Sequence, residues 1–144
     1  MSLFQIIHFK RIADERGALV ALEQHKTVPF EIKRVYYCTG LNPKFERGFH
    51  AHHQIQQLAV CVTGSCVMVF DDGVTREEFR MDSQDKGVLI PPMMWHEMKD
   101  FSQDCVFLVL ASDVYDEADY IRDYPTFVQL STQLRKSDVY SPAK

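Results

Sequence analysis

Short apolar runs separated by turn residues follow one another along this chain as far as about residue 112. Asp71-Asp72-Gly73 is a strong hairpin signal, and Pro91-Pro92 ends another run because proline lacks the N–H that a strand needs. Many short strands at regular spacing are typical of an antiparallel barrel or sandwich. The predicted strands span residues 32–38, 57–62, 66–70, 75–81, 87–90 and 105–110.

Helix signals are confined to the end of the chain. Acidic residues open the segment 116–122, as they do at helix N-termini, and Pro125 then interrupts it. A second short helix is predicted from there to about Lys136. No linker or repeat divides the sequence, so we expect one all-β domain over residues 1–144, with its core at about 5–115 and a helical tail at about 116–136.

Composition excludes several kinds of partner. The 144 residues are 46% apolar, which suits a folded domain, and the net charge of −4 comes with no basic block. We therefore expect no nucleic-acid partner. No apolar run approaches the roughly 18 residues of a membrane span, and the N-terminus carries no secretion signal. We expect no membrane partner and a cytoplasmic location.

The four cysteines each lie in or beside an apolar run, and no C-x-x-C occurs. We interpret them as small buried hydrophobic residues in a reducing compartment, with a disulfide as the alternative. They are Cys38, Cys61, Cys66 and Cys105.

The candidate chemistry lies in the segment Arg47-Gly48-Phe49-His50-Ala51-His52-His53. If the segment is extended, side chains two residues apart share one face, so His50 and His52 point into the same cavity. Two adjacent imidazoles can hold a metal ion or can move protons. The pair alone leaves both possibilities open.

Two sets of residues resemble the motifs of the cupin superfamily, a family of jelly-roll antiparallel β-barrels. The resemblance implies the same fold here. Gln57 stands where the cupin metal-binding Glu stands, and Met93 stands in place of a glycine. An amide is a weaker, neutral ligand, so this departure favours a cavity without a metal, although three imidazoles alone suffice for zinc. The matching positions are His50, His52, Gln57 and Gly64, then Gly87, Pro91, Met93 and His96.

A narrower resemblance is to the nucleotide-sugar 3,4-ketoisomerases. It rests on Arg47-Gly48-Phe49-His50, Trp95-His96-Glu97-Met98, Asp14-Glu15-Arg16-Gly17 and residues 111–122. The resemblance implies conversion of dTDP-4-keto-6-deoxyglucose to its 3-keto isomer, in deoxy amino sugar biosynthesis. The reaction proceeds by proton transfer through an enediol and needs no cofactor.

The expected roles follow from that chemistry. A neutral imidazole, with a pKa near 6.5, suits removal of the C3 proton. We assign His52 as the base at C3 and His50 as its partner at the oxygens or C4. Arg47 or Tyr37 is the expected donor to the developing oxyanion. Tyr36 and Tyr37 face opposite ways on a strand, so only one of them reaches the cavity.

Three further residues are expected to contact the substrate. His96 and Gln57 occupy cupin cavity positions. Asp14-x-Arg16-Gly17 also resembles the dTDP-sugar 3,5-epimerases, which implies that Arg16 reaches the diphosphate across a homodimer interface. Arg122 is assigned to a helix surface and left out of the site.

Three other functions stay open. A 3,5-epimerase shares the substrate but pairs one histidine with a tyrosine acid, so the second imidazole argues against it. A metal-dependent cupin enzyme would depend on a bound ion. A cupin that binds nucleotide sugars without catalysis would leave the C3 hydrogen unexchanged.

Overall fold

A computed structural model describes residues 1–140 of the chain as twelve strands and one α-helix. A short 3-10 turn, Glu117–Asp119, precedes β12. The elements are β1 (Gln5–His8), β2 (Arg11–Asp14), β3 (Gly17–Val20), β4 (Arg34–Cys38), β5 (Arg47–His52), β6 (Gln57–Thr63), β7 (Cys66–Asp71), β8 (Arg76–Met81), β9 (Lys86–Ile90), β10 (Trp95–Lys99), β11 (Val106–Ala111), β12 (Tyr120–Ile121) and α1 (Tyr124–Tyr140).

Ten of the strands form two five-stranded sheets. The first sheet has the order β1-β9-β6-β11-β4 and the second the order β12-β5-β10-β7-β8, and every pair within them is antiparallel. The strands β2 and β3 make a separate hairpin. The prediction of an all-β cupin or jelly-roll barrel with a helical tail is confirmed.

The main core lies between the two sheets. Ala59 and Val109 of the first sheet pack in one buried cluster with Met68 and Phe70 of the second. A second cluster lies behind the first sheet, where Val28 and Phe30 cover it. A third cluster joins α1 to the second sheet through Ala51, Trp95, Ile121 and Phe127.

The predicted strands appear within two residues of their expected bounds, but the strands β1 to β3, β10 and β12 were not predicted. The predicted helix at 116–122 is wrong. Asp116 does cap a turn, since its side chain accepts from the Ala118 N–H, yet the chain then extends and pairs with β5. The helix at Pro125 is present and runs on to Tyr140, past the expected end at Lys136.

Two other expectations meet the structure here. Cys61, Cys66 and Cys105 are buried as predicted, and Cys38 is partly buried. Among residues 1–140, no helix is long and apolar enough to cross a membrane. The last four residues of the predicted 1–144 domain lie outside the described part, and the single-domain assignment stays a prediction.

Candidate active site

A bulge in β5 aims the two histidines. His50 pairs with His96 while Gly48 pairs with Glu97, so Phe49 is an extra residue in the strand. Gly48 and Phe49 have φ values of 92° and 59°. A Cβ on Gly48 would lie 2.7 Å from the carbonyl oxygen of His96, so only glycine fits the pairing.

Three imidazoles meet inside the fold at this point. The ring centroids of His50 and His96 are 4.6 Å apart, those of His50 and His52 are 5.1 Å apart, and those of His52 and His96 are 6.0 Å apart. One ring nitrogen of each lies within 4.8 Å of the others. His50 and His52 therefore share one face, as the spacing predicts, and β10 brings His96 to them.

Hydrogen bonds fix the tautomers of these rings. Nδ1 of His50 lies 3.0 Å from the carbonyl oxygen of Gly48, and Nδ1 of His96 lies 3.0 Å from that of Met94. A carbonyl oxygen only accepts, so each Nδ1 carries the hydrogen and each Nε2 keeps its lone pair. Nε2 of His52 is buried and has no hydrogen-bond partner among the described residues. It is placed to accept a proton.

All three rings are neutral near physiological pH. Burial lowers the pKa of His50, brings that of His52 to about 4 and brings that of His96 to about 3. The neighbouring His50 further lowers the pKa of His52, and Asp119 offsets part of this effect. The cluster therefore consists of proton acceptors.

A cavity of about 310 Å³ opens beside the cluster, between β4 and β5. His50 forms part of its wall, whereas His52 and His96 lie behind, each only 2% exposed. The cavity is lined by Arg34, Tyr36, Cys38, Arg47, Gly48, His50, Met98, Phe107, Tyr120 and Arg122.

Tyr36 is the tyrosine that reaches this cavity, whereas Tyr37, the predicted oxyanion donor, lies outside its lining. In β4, Tyr36 lies opposite the core residue Val109, so it points inward, while Tyr37 points outward and is 68% exposed. The sequence predicts that only one of the two faces the cavity but not which. Burial raises the pKa of Tyr36 to about 12, so its hydroxyl stays protonated and can donate.

The predicted contacts His96 and Gln57 do not line the cavity. Both are 2% exposed. His96 stacks behind His50, and Nε2 of Gln57 donates to the Tyr36 hydroxyl at 3.1 Å. Both side chains lie behind the residues that line the cavity, and their contact with a substrate stays a prediction.

The two predicted arginines differ in position. Arg47 is exposed at the cavity wall, as expected. Arg16 lies at the turn of the β2–β3 hairpin, where its guanidinium pairs with Asp14 at 2.6 Å. It is absent from the cavity lining of its own chain.

Sequence reasoning missed several site residues because it treated residues 116–122 as a helix. Asp119 contacts His52, with its Oδ2 3.2 Å from Nδ1. Tyr120 lies against both His50 and His52, and Arg122 stacks on Tyr120 at 4.3 Å while pairing with Glu117. Arg34, which stacks on Tyr36 at 4.5 Å, was given no role from the sequence. The guanidinium groups of Arg34 and Arg122, together with that of Arg47, make the mouth of the cavity cationic.

Comparison with known proteins shows that the chain is similar to sugar isomerases. The family model described as "FdtA: WxcM-like, C-terminal" matches residues 2–132. The chain is 52% identical over 123 residues, covering 85% of itself and 88% of the relative, to the TDP-4-oxo-6-deoxy-alpha-D-glucose-3,4-oxoisomerase of Aneurinibacillus thermoaerophilus.

Solved structures agree with that match. A TDP-quinovose 3,4-ketoisomerase from Campylobacter jejuni is 45% identical with a TM-score of 0.85, over 90% of this chain and 99% of the other. A sugar 3,4-ketoisomerase from Thermoanaerobacterium thermosaccharolyticum, solved in complex with TDP, is 37% identical with a TM-score of 0.89, over 91% and 96%. A Streptomyces spheroides 4-keto-6-deoxy sugar epimerase is 19% identical and shares the fold alone.

Proposed function

This chain belongs to the FdtA, WxcM-like C-terminal family, and from that premise we propose that it isomerises a TDP-linked 4-keto-6-deoxyglucose to the 3-keto sugar, in deoxy amino sugar biosynthesis. The observation that carries the proposal is the imidazole cluster beside a cationic cavity, in a chain 52% identical to a TDP-sugar 3,4-oxoisomerase. The reaction moves two hydrogens within the sugar and needs no external oxidant.

The first step removes the C3 proton, which the C4 carbonyl acidifies. We propose His50 as this base in place of His52, because His50 forms part of the cavity wall and His52 is 2% exposed. The C3–H electron pair becomes the C3–C4 double bond of an enediolate, and the carbonyl pair moves onto O4. The neutral Nε2 of His50 accepts the proton.

The second step returns a proton to C4 while O3 becomes the carbonyl oxygen. His52 lies 5.1 Å behind His50, ring centre to ring centre, and is proposed to exchange protons with it. The protonated His50 supplies the proton to C4, and the hydroxyl proton of O3 passes to O4, so that His50 ends neutral and the atoms balance. The protonated Tyr36 hydroxyl and the Arg47 guanidinium are the proposed donors to the enediolate oxygen.

The diphosphate is proposed to bind at the cationic mouth, with Arg16 from a second copy of the chain completing it in a homodimer. The β2–β3 hairpin carries Arg16, and it exposes Ile12 and Leu19 at 57% and 58%. Exposed apolar side chains on a projecting hairpin support association with another surface. A cytoplasmic location is proposed as well, and the buried thiols of Cys61, Cys66 and Cys105 are consistent with a reducing compartment.

A metal-dependent reaction is the second candidate, and the nitrogens of His50, His52 and His96 favour it. One ring nitrogen of each imidazole lies within 4.8 Å of the other two, an arrangement that fits a zinc ion. The Nδ1–H groups of His50 and His96 donate to backbone carbonyls, as those of metal-binding histidines often do. The nearby side chain at the cupin carboxylate position, Gln57, is neutral. We propose the metal-free reaction because an amide in place of a carboxylate weakens such a site.

NMR of the reaction in D2O tests the isomerase assignment. The protein, incubated with TDP-4-keto-6-deoxyglucose, is expected to yield the 3-keto sugar with deuterium at C4 and hydrogen retained at C5. Deuterium at C5 would instead identify an epimerase. Binding of TDP without product or exchange would identify a non-catalytic binding protein.

A further inference from the structure

Asp119 holds the turn at residues 53–55, which follows strand β5. Its side chain is 11% exposed, and its Oδ1 accepts from the N–H of Gln54 at 3.0 Å. Its Oδ2 accepts from the N–H of Ile55 at 3.1 Å, and its backbone oxygen accepts from the N–H of His53 at 2.9 Å. These contacts fix the carboxylate without any flexible cation as a partner.

The same carboxylate meets His52. Its Oδ2 lies 3.2 Å from Nδ1 of the ring. Because both carboxylate oxygens are turned toward N–H donors, the carboxylate acts only as an acceptor, and Nδ1 of His52 must carry the hydrogen. The lone pair is thereby left on Nε2, which is the buried ring atom without a partner in the described residues.

We propose that Asp119 is a positioning residue for the isomerisation, which fixes the orientation of His52 and the tautomer that leaves Nε2 free to exchange protons with His50. The inference rests on the proposed function. It explains why Nε2 of His52 carries no hydrogen by a residue outside the imidazole cluster. Two rings exchange protons only when one presents a lone pair where the other presents a hydrogen. Loss of the tautomer therefore slows the proton steps without weakening substrate binding.

Two substitutions separate this role from a purely structural one. In Asp119→Asn, the amide oxygen can take the place of Oδ2 and accept from Nδ1 of His52 and the N–H of Ile55. Only the hydrogen bond from the N–H of Gln54 is lost. Asp119→Ala removes all three side-chain bonds. We expect kcat to fall about 100-fold in Asp119→Ala, at the lower end of acid–base contributions. It should fall about 10-fold in Asp119→Asn, which keeps the hydrogen bond to Nδ1 but loses the negative charge that favours a proton on His52. KM and the Kd of TDP should stay within about threefold of the wild type.

The imidazole ¹⁵N spectrum of His52 supplies an independent readout. We expect a single Nδ1–H tautomer in the wild type and in Asp119→Asn, and a mixture of tautomers in Asp119→Ala. The matched control is Asp116→Asn, in the same turn. Its side chain caps Ala118 and does not contact a histidine, and asparagine caps equally well, so kcat is expected to be unchanged.

An active wild type with kcat retained in both Asp119 variants would overturn the inference. So would a parallel loss of kcat and TDP binding, which indicates general damage to the fold. If Asp119→Ala does not fold, Asp119→Asn decides through its kcat and KM. A wild type that makes no 3-keto sugar contradicts the proposed function, whereas the ¹⁵N spectra still test the control of the His52 tautomer.

Discussion

Strands β5 and β10 carry two faces that differ in how their polar groups are satisfied. The imidazole face, made of His50, His52 and His96, looks into the barrel. The helix face, made of Ala51, Trp95 and Glu97, looks outward, where Ala51 and Trp95 pack with Phe127 of α1. Because neighbouring side chains alternate across a strand, β5 and β10 position the imidazoles on one face and hold α1 with other residues on the opposite face.

On the helix face, the polar side chains of Trp95 and Glu97 are paired. Trp95 Nε1 donates to Glu97 at 3.0 Å, and Arg76 bridges Glu97 and Asp71 at 2.6 and 3.2 Å. The Tyr124 hydroxyl donates to Asp71 at 2.9 Å. On the imidazole face, Nε2 of His52 is buried and has no partner among residues 1–140. A free lone pair at this position is what the proposed proton transfer requires.

Removing the imidazole of His50 or of His52 should produce the largest effect on activity. We expect His50→Asn and His52→Asn each to reduce kcat by about 10³-fold, because both proton transfers lose a partner. The Kd of TDP should change by less than about threefold, and the free energy of unfolding by about 1 kcal/mol at most. Steady-state kinetics with calorimetric titration of TDP checks this. A fully active His50→Asn would exclude His50 as the base.

Removing the aromatic anchor of the helix face should affect stability instead. Phe127 is fully buried against Trp95, so Phe127→Ala should cost about 3–5 kcal/mol of unfolding free energy. Urea unfolding measures that loss. Activity per folded molecule should stay within about threefold of the wild type. A collapse of kcat in protein that is still folded would show that the two faces are not separable.

The imidazole face should also make stability depend on pH. In the folded state the pKa of His52 is lowered to about 4, against about 6.5 when unfolded. Below pH 6.5, His52 therefore binds a proton in the unfolded chain but not in the folded one. The free energy of unfolding falls as the pH is lowered from 6.5 toward 4. Urea unfolding at pH 7, 6 and 5 should show a shallower decline for His52→Asn. Equal declines would contradict the burial of a neutral His52.

A smaller effect is expected from the tyrosine pair on β4. Tyr36→Phe removes the hydroxyl that bonds Gln57 at the cavity wall, and kcat should fall about 10-fold. Tyr37→Phe is the matched control, because Tyr37 points outward and should leave kcat unchanged. Kinetics of the two variants decides between them, and the reverse pattern would restore the assignment of Tyr37.

The sequence predicted the parts of the molecule that depend on local pattern. The apolar runs and the turns between them predicted antiparallel β-structure. The i, i+2 spacing of His50 and His52 predicted that the two side chains share one face of a strand. It left the phase of β4 undetermined, because Tyr36 and Tyr37 are equivalent until pairing with β11 selects one. Cupin spacing also identified His96, but not its depth behind His50.

The missed residues depend on contacts between distant segments. Asp119 and Tyr120 lie in an acidic stretch whose first turn does carry a helix-like cap at Asp116. The two-residue strand β12 pairs with β5, where Tyr120 lies opposite His52, 68 positions earlier in the chain. Local propensity does not report such long-range pairing, so the family resemblance covered residues 111–122 without showing that they form a wall of the cavity.

We propose that neutral imidazoles, without a bound metal, carry protons between C3 and C4 of the sugar. Turnover of the metal-stripped protein in D2O, with metal content measured on the same sample, decides between this mechanism and a metal-dependent one. The stripped protein should make the 3-keto sugar at the untreated rate, with deuterium at C4. Activity that disappears on stripping and returns with one equivalent of zinc would overturn the metal-free mechanism.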